Sequence, residues 1–381
     1  MDALVLPLNW QRVRLGDICE IVKGQQINKI SLNNTDKYPV INGGIDFLGY
    51  TNKFNVSKNT IAISEGGTCG YVRFMTSNFW SGGHNYSLQK ISNKVNNLCL
   101  YHILKSYEKD IMKLGVGSGL KNIQLKALKD FEIPLPPLNE QNAIANILSA
   151  LDRYLCALDA LILKKEGVKK ALSFELLSQR KRLKGFNQAW QRVKVKDFGI
   201  IITGSTPLTQ ISEYWNGTIS WITPTDINDN KDIFNSERKI TQKGLDTIRM
   251  IPKNSVLVTC IASIGKNAIL RVNGACNQQI NAIIPNKDFN ADFIYYLMEN
   301  NKQYLLGKAG VTATYIISKQ VFEEIDFFVP KDLNEQNAIA NILSALDNEI
   351  ASLKNKKRQF ENIKKALNHD LMSAKIRVLE K

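Results

Sequence analysis

The chain has 381 residues, with 50 Lys and Arg against 35 Asp and Glu and a formal net charge of +15. Its 44% hydrophobic and 22% charged residues are ordinary globular values, which exclude a wholly disordered chain, and the length suggests two to three domains. With no apolar run of about 18 residues, no basic and apolar start and no CxxC pair among its cysteines, the sequence predicts a reduced cytoplasmic protein without a membrane span, a signal peptide or a metal site.

The first region, residues 1–133, is predicted to be a mixed α/β domain. Residues 60–64 are strand-like and residues 98–114 favour a helix. The turns between them are rich in Gly, Asn and Ser, and two of them, residues 64–68 and 117–122, contain polar side chains beside glycines. Such turns allow a close approach to a phosphate, although ordinary turn chemistry explains each loop taken alone.

Residues 134–184 are predicted to form one long helix. Pro136 and Pro137 block a helix before it, and Glu140 falls in its first turn, where the helix dipole favours an acidic residue. Apolar residues then follow a heptad pattern, which is typical of a helix that packs on another helix. The pattern falters after Ile162, because Lys165 occupies the next expected position.

The second α/β region, residues 185–328, has strand-like runs at 256–261 and 282–284 and a helix near 291–306. Its polar loops include residues 203–207 and 223–226. Charge is spread along the whole chain, so it favours a polyanionic partner without pointing to one basic tail.

The last region, residues 329–381, repeats the first long helix. Residues 138–152 and 333–347 both read LNEQNAIANILSALD, with all 15 positions identical at an offset of 195. Both halves also contain WQRV, starting at Trp10 and Trp190. The chain is therefore a tandem duplication in which the helices stayed alike while the α/β regions diverged. The predicted helix-pairing residues are Ile144, Leu148, Leu151, Leu155, Leu158, Ile339, Leu343, Leu346, Ile350 and Leu353.

The two helices have two interpretations. They either only pair with each other, as antiparallel copies, or they also bind a partner. Small and polar positions off the heptad stripe are repeated too, and identical surfaces presented twice suit two copies of one partner. The residues predicted to bind such a partner are Asn142, Asn146, Ser149, Asn337, Asn341 and Ser344.

The sequence carries no strong catalytic motif. It has no GxxxxGK[ST], HExxH or GxSxG, and its three histidines lie far apart. Asp226 with the run 237–239 (Glu-Arg-Lys) makes a loose nuclease-like arrangement, which chance explains better. The sequence therefore favours recognition and assembly, with no catalytic or metal-binding residue assigned.

The order of the parts resembles the DNA-specificity subunit of type I restriction-modification systems. The resemblance rests on two diverged domains, each followed by a near-identical helix that opens with PLPPLNEQ (134–141) or VPKDLNEQ (329–336), and on the run WITPTDI (221–227). It covers essentially the whole chain. It implies target recognition domains at 1–133 and 185–328, a central conserved helix at 134–184, a C-terminal one at 329–381, and an internal pseudo-two-fold.

The function that this resemblance implies is non-catalytic. Each recognition domain would read one half of a split, asymmetric double-stranded DNA site, and the helices would set the spacing and dock two methyltransferase subunits. Those partners would use S-adenosylmethionine to methylate adenine in defence against phage. Restriction subunits that need ATP and Mg could join them, whereas this chain would bind no cofactor.

By analogy with the family, loops 204–207, 223–226 and 312–315 should lie near DNA in the second domain. Loops 64–68 and 117–122 are the expected equivalents in the first, which lacks a Thr-Pro at Gln25-Gln26. The predicted DNA-binding residues are Ser64, Gly66, Gly67, Thr68, Asn85, Ser118, Lys121, Asn122, Ser205, Thr206, Thr223, Thr225, Lys266, Gln278, Thr312, Thr314 and Tyr315.

Three alternatives stay open at this point. A two-domain DNA-binding regulator without enzyme partners would explain the charge and the duplication, but not the repeated polar helix positions. A coiled-coil scaffold would bind protein alone and would show no steep salt dependence. An enzyme in its own right is the weakest alternative, because the motifs are absent.

Overall fold

The computed structural model describes residues 7, 9–228, 230–311 and 315–378. The chain divides into two compact units. The first unit comprises Met1–Ala160 with Asn355–Lys381, and the second comprises Leu161–Lys354. Each unit thus contains one α/β domain and a segment of each long helix. The unit boundaries therefore fall within the helices, whereas the sequence analysis treated each long helix as a region of its own.

The α/β domain of the first unit has a four-stranded antiparallel sheet and a three-stranded sheet. Their strands, in spatial order, are Glu20–Lys23, Asn85–Gln89, Thr60–Ser64 and Val72–Met75, then Gly49–Thr51, Tyr38–Ile41 and Trp80–Ser81. Two strand pairs complete it: Gln11–Arg14 with Glu132–Leu135, and Gly115–Val116 with Asn122–Ile123. The helices are Leu15–Ile18, Lys29–Ser31 (3-10), Asn97–Ser106, Glu108–Lys113 and Leu125–Lys129.

The second unit repeats this plan with a five-stranded and a three-stranded sheet. Their strands, in spatial order, are Gly199–Thr203, Ile280–Pro285, Ser255–Thr259, Asn267–Leu270 and Asp232–Ile233, then Lys239–Ile240, Trp215–Ile222 and Gly274–Cys276. The strand pairs are Gln191–Lys194 with Asp326–Val329, and Gly310–Val311 with Tyr315–Ile316. The helices are Val195–Phe198 (3-10), Ser212–Tyr214 (3-10), Gln242–Leu245, Ala291–Asn300, Lys302–Leu306 and Lys319–Glu324.

These elements confirm the predicted mixed α/β class. The central strands Thr60–Ser64 and Ser255–Thr259 are buried almost throughout, as expected for β-branched runs between two layers. The single helices predicted at 98–114 and 291–306 are each two helices. The first pair is divided at Tyr107 and the second at Asn301. Each of these residues has backbone angles between the helical and extended regions and is the N-cap of the helix that follows.

Leu138–Leu177 and Leu333–Met372, hereafter the central and C-terminal long helices, have 40 residues each. Within each unit their segments run antiparallel. In the first unit Asp159 pairs with Lys357 at 2.7 Å and Asp152 pairs with Lys364.

The second unit repeats that antiparallel pairing. Lys169 lies 2.5 Å from Asp347, and Lys165 lies 2.8 Å from Glu349. Lys165, the residue that interrupts the heptad pattern, therefore makes an ion pair between the helices.

The start of each heptad stripe is part of an α/β core. Ile144 and Leu148 are buried in the first domain's core together with Leu371 and Met372 from the other helix. Ile339 and Leu343 lie equally in the second core, beside Leu176 and Leu177. Of the remaining predicted pairing residues, Leu158 and Ile350 are buried, whereas Leu151, Leu155, Leu346 and Leu353 are partly buried. Each stripe thus holds its helix to a domain as well as to the other helix.

The first-turn glutamates have a structural role that the dipole argument did not predict. The indole Nε1 of Trp10 donates to Glu140 at 3.1 Å, and that of Trp190 donates to Glu335 at 3.2 Å. Both carboxylates are buried, so each needs a charged partner. WQRV and LNEQ, the two repeated motifs, therefore meet in both units.

Among the helices of the described residues, none is long and apolar enough to cross a membrane.

Candidate functional site

Loops of the second unit meet at one end of its sheets. Ser205 N donates to Cys276 O at 2.8 Å, and Thr206 Oγ1 donates to Gln278 Oε1 at 2.6 Å. Gly204 fits only because it has no side chain, since a Cβ there would lie 2.1 Å from Asn277 O. The structure thus brings together the predicted residues Ser205, Thr206 and Gln278.

The turn at residues 223–226 is closed by its own aspartate. Asp226 Oδ2 accepts from Thr223 N at 2.8 Å and from Thr223 Oγ1 at 2.7 Å, and Thr223 Oγ1 lies 2.7 Å from Thr225 Oγ1. Asn277 N donates to Ile222 O at 2.9 Å, which seats this turn beside the Gly204 loop. Thr225 is exposed at the tip.

The loop that follows Ser255–Thr259 joins the same cluster. Cys260 N donates to Gln279 O at 2.8 Å, and Ala262 N donates to Tyr315 O at 3.0 Å. Lys266 is exposed and makes no salt bridge with the described residues, and Tyr315 is 49% exposed. Thr312 and Thr314 lie outside the described residues.

The first unit builds the same cluster mostly from residues that were not among the predicted DNA-binding residues; Asn85 is the exception here. Gly24 N donates to Asn85 O and Gln25 N to Ser81 O, both at 2.8 Å, as Gly204 and Ser205 do with Ile280 and Cys276. A Cβ on Gly24 would lie 2.1 Å from Gly82 O. Trp80 Nε1 donates to Gln25 O at 2.9 Å. Gln25-Gln26 therefore takes the place of Ser205-Thr206 despite the missing Thr-Pro.

Asn42 and Gly43 are the counterparts of the Thr223 turn. They follow the strand Tyr38–Ile41, which pairs in parallel with Trp80–Ser81 as Trp215–Ile222 pairs with Gly274–Cys276. Asn42 Oδ1 accepts from His84 N at 3.0 Å. Neither residue is identical to its counterpart in the WITPTDI segment, so residue identity could not have revealed this equivalence. The order of the strands reveals it.

Two predicted DNA-binding residues of the first unit are buried. Ser64 and Asn85 are 3% and 1% exposed, and Ser64 Oγ lies 3.4 Å from Asn85 Oδ1. Asn85 Nδ2 has no hydrogen-bond partner among the described residues. In this conformation both side chains are therefore buried beneath the loops.

Gly66, Gly67 and Thr68 form a tight turn over these buried side chains. Thr68 N donates to Gly43 O at 2.8 Å, and a Cβ on Gly66 would lie 2.3 Å from Asn122 Oδ1. This turn thus connects the Asn42–Gly43 loop with the hairpin at residues 115–123. Ser118, Lys121 and Asn122 of that hairpin are exposed, and Lys121 makes no salt bridge with the described residues.

Glu65 is an acidic side chain inside this cluster, and it is neutralised. Lys23 Nζ lies 2.6 Å away and Tyr86 OH donates to it at 3.2 Å. Burial, followed by the Glu65 charge, raises the pKa of Tyr86 to about 12, so this hydroxyl stays protonated. The Glu65 carboxylate is therefore already paired with other groups and does not need Lys121 as a partner.

The repeated helix residues divide into structural and exposed positions. Gln141 accepts from Asn96 N at 2.7 Å and Gln336 from Asn290 N at 3.0 Å. Asn96 and Asn290 cap the helices Asn97–Ser106 and Ala291–Asn300, so these contacts fix each domain on its long helix.

The predicted partner-binding residues follow the same division. Asn142 and Asn337 accept from the side chains of Asn96 and Asn290 at 2.8 and 2.7 Å. Ser344 Oγ lies 3.1 Å from Tyr296 OH, and Ser149 Oγ is buried with no hydrogen-bond partner among the described residues. Asn142 is nevertheless exposed. Asn146 and Asn341 are exposed as well, and their side chains make no hydrogen bond with the described residues.

The described residues hold no cluster of three or more His, Cys, Asp or Glu that could bind a metal ion.

Comparison with known proteins gives this architecture a family. The profile of the type I restriction modification DNA specificity domain matches residues 7–165 and again residues 187–362. The chain belongs to this family. The two matched copies correspond to the duplication found in the sequence.

Specificity subunits are also its relatives. The MjaIX specificity subunit of Methanocaldococcus jannaschii is 36% identical over 182 residues, which is 46% of this chain and 41% of that protein. The matches to the first relatives span only about two fifths of those proteins (41%, 42% and 41%). The MjaVIII specificity subunit of the same organism is 25% identical over 99% of this chain and 95% of its own length.

A solved structure has the same fold. The crystal structure of a type I restriction-modification S subunit from M. genitalium superimposes with a TM-score of 0.71 at 22% identity, covering 96% of this chain and 98% of that one. The fold of that structure therefore extends over 96% of this chain.

Proposed function

We propose that this chain is the DNA-recognition subunit of a type I restriction-modification complex, in which each unit reads one half of a bipartite, asymmetric DNA site. The observation that carries the proposal is that both units contain the same loop cluster. Its backbone hydrogen bonds are the same in the two units, whereas its side chains differ. Gly24-Gln25-Gln26 stands in the first unit where Gly204-Ser205-Thr206 stands in the second. A shared frame with different side chains suits two different base sequences.

The chemistry of the clusters supports nucleic acid as the ligand. Lys121 and Lys266 are exposed cations without a salt bridge to the described residues, and Gln278 and Thr206 offer donors and acceptors at the surface. Cations and backbone amides position phosphates, and amide side chains match base edges.

The long helices would set the distance between half-sites and dock two methyltransferase subunits. Most repeated polar residues serve the chain's own structure, but Asn146 and Asn341 remain exposed at equivalent positions. Equivalent surfaces on the two units suit two copies of one partner. This chain would be non-catalytic. The partners would bind S-adenosylmethionine, and restriction subunits, where present, would bind ATP and Mg.

Genome-wide mapping of adenine methylation, with and without this chain, tests the proposal. Deletion should abolish methylation of one split motif, and exchange of residues 185–328 for those of a relative should change one half of that motif only. Unchanged methylation in the deletion strain would contradict the proposal. Purified complex should also bind DNA with a steep salt dependence, which a protein-only scaffold would lack.

A further inference from the structure

Arg238 lies in a corner formed by two tryptophans. Its guanidinium carbon is 4.2 Å from the ring centroid of Trp215 and 4.9 Å from that of Trp221. The two indoles are perpendicular, with an interplanar angle of 89° and centroids 5.1 Å apart. Arginine over a tryptophan face is the strongest of the cation–π combinations, and two such faces restrict the guanidinium more than one does.

The indoles that form this corner are themselves fixed. Trp221 is 2% exposed, and its Nε1 donates to Ser205 O at 3.0 Å. Trp215 Nε1 donates to Leu208 O at 3.2 Å. Because the corner is rigid, the guanidinium has lost much of its side-chain freedom before any ligand arrives, and this lowers the entropic cost of binding.

The donors of Arg238 are free. Arg192 and Arg271 in the same unit make ion pairs with Asp326 and Asp232, but Arg238 makes neither an ion pair nor a side-chain hydrogen bond with the described residues. A structural arginine would normally use its planar set of five donors on a carboxylate or a carbonyl. A guanidinium that is exposed, restricted in its motion and unpaired is suited to a ligand with two adjacent hydrogen-bond acceptors.

Arg238 lies beside the candidate DNA-reading loops. Trp221, over whose ring Arg238 lies, donates to Ser205, and Glu237 N donates to Asp226 Oδ1 at 2.9 Å. Asp226 thereby uses both carboxylate oxygens inside the protein, which argues against the nuclease-like arrangement of this segment. The groove at Arg238 has a volume of about 670 Å³ and includes Thr209, Ser212, Asn216 and Lys239.

We propose that Arg238 is a base-reading residue of the second unit and that it recognises a guanine, donating two parallel hydrogen bonds to O6 and N7. This inference rests on the proposed function and names one base class within it. Arginine bidentate to guanine is the commonest specific contact in the major groove, and the two indoles restrict the guanidinium before it binds. A phosphate could accept the same two donors, so the test separates the two acceptors.

The test uses the full chain co-expressed with its methyltransferase subunits. Wild-type complex and the variants Arg238→Lys and Arg238→Ala select from a random duplex library, and the bound sequences are read. Arg249→Ala is the matched control, because Arg249 is also exposed in this unit and makes no ion pair with the described residues. Arg238→Lys keeps the charge, so it stays informative if Arg238→Ala unfolds.

Both Arg238 variants should lose the preference for guanine at one position of the second half-site, by roughly tenfold to a hundredfold, and leave the first half-site unchanged. Arg249→Ala should keep the full motif. A uniform loss over all sequences with a reduced salt slope would overturn the proposal in favour of a phosphate contact, and an unchanged motif would overturn it outright. A wild-type complex without any sequence preference would overturn the proposed function itself.

Discussion

Arg377 donates two hydrogen bonds to Glu140, from Nε at 2.7 Å and from Nη2 at 2.9 Å. Arg182 makes the same pair of bonds to Glu335, at 3.1 and 2.7 Å. In each unit the segment that follows one long helix therefore neutralises the buried carboxylate at the start of the other. With the indole of Trp10 or Trp190 on the same carboxylate, this contact joins both helices and the α/β domain.

Loss of either arginine should destabilise its own unit. Arg377→Ala leaves the 6% exposed Glu140 without a countercharge, and Arg182→Ala does the same to the 1% exposed Glu335. Removing one member of the pair leaves the buried carboxylate uncompensated, so each variant should have a lower free energy of unfolding than the wild type, by less than for a fully buried pair because both guanidinium groups are partly exposed. Urea unfolding measures the effect.

Matched controls separate this ion pair from general loss of charge. Lys184→Ala and Lys375→Ala remove exposed cations two residues away from the pair-forming arginines and should leave the unfolding midpoint nearly unchanged. Adding Glu140→Gln to Arg377→Ala should recover part of the lost stability. If the double variant were no more stable than Arg377→Ala, uncompensated charge would not be the cause.

This ion pair could be predicted only in part from the sequence. Helix, heptad and dipole arguments placed Glu140 in a first turn, but they treat each helix alone. Arg182 and Arg377 are separated by the repeat offset of 195, so the duplication already contained the signal. What the sequence could not supply was the antiparallel register that brings residue 377 to residue 140.

Arginine at the exposed repeated asparagines should block partner docking without affecting the fold. Asn146 and Asn341 make no side-chain hydrogen bond with the described residues, so Asn146→Arg or Asn341→Arg should change the unfolding free energy by no more than about 0.5 kcal/mol. Each single variant should co-purify with one methyltransferase subunit instead of two, and the double variant with none. Mass measurement of the purified complex reports the stoichiometry.

The exposed Asn362 of the C-terminal long helix provides the control for that experiment. Its counterpart at the repeat offset is Gly167, so it is not part of the repeated surface. Asn362→Arg adds the same charge and should retain both partners. Full stoichiometry in the Asn146→Arg and Asn341→Arg double variant would place the docking surface elsewhere.

Alanine at the two loop glycines should damage one half-site each. A Cβ would lie 2.1 Å from a carbonyl oxygen at Gly24 and at Gly204 alike, so the backbone of the loop must shift. Gly204→Ala should weaken preference in the second half-site by about tenfold or more, the worth of one base contact, and Gly24→Ala should do so in the first. Binding selection from a random duplex library gives both values.

Gly167→Ala is the control for the glycine variants, because a Cβ there meets nothing within 4 Å. It lies inside a helix, where alanine is favoured over glycine by about 1 kcal/mol, so stability should rise while the motif stays the same. A change of both half-sites by Gly204→Ala alone would argue against separate reading by the two units.

The first unit's cluster shows why half of the candidate site could not be predicted. Thr223 and Thr206 stand in segments with a familiar residue pattern, whereas Asn42 and Gln26 occupy the equivalent backbone positions without any shared residue identity. The diverged loops keep the same hydrogen bonds between main-chain atoms. Because such bonds do not depend on the side chains, they cannot be recognised from residue identity. The strand order reveals the equivalence, and it exists only in three dimensions.

Acid should destabilise the first unit through His102. This side chain is 3% exposed, and burial lowers its pKa to about 4, against a smaller opposing effect of Asp152 at 3.9 Å and a further lowering by Lys364. Between an unfolded pKa of about 6.5 and the folded value, the unfolded chain binds more protons. The stabilising contribution of neutral His102 is therefore present above pH 6.5 and is lost as the pH falls towards about 4.

A non-titrating side chain at this position should flatten that pH dependence. The second unit offers a model, because Tyr296 stands at the equivalent place after its helix cap and donates to Asp347 at 2.7 Å. His102→Tyr and His102→Leu should each lose less stability than the wild type between pH 7 and pH 4, as followed by the urea midpoint of the first unit. His369→Leu, at an exposed histidine, should keep the wild-type slope. Equal slopes in all four proteins would assign the acid sensitivity to other groups.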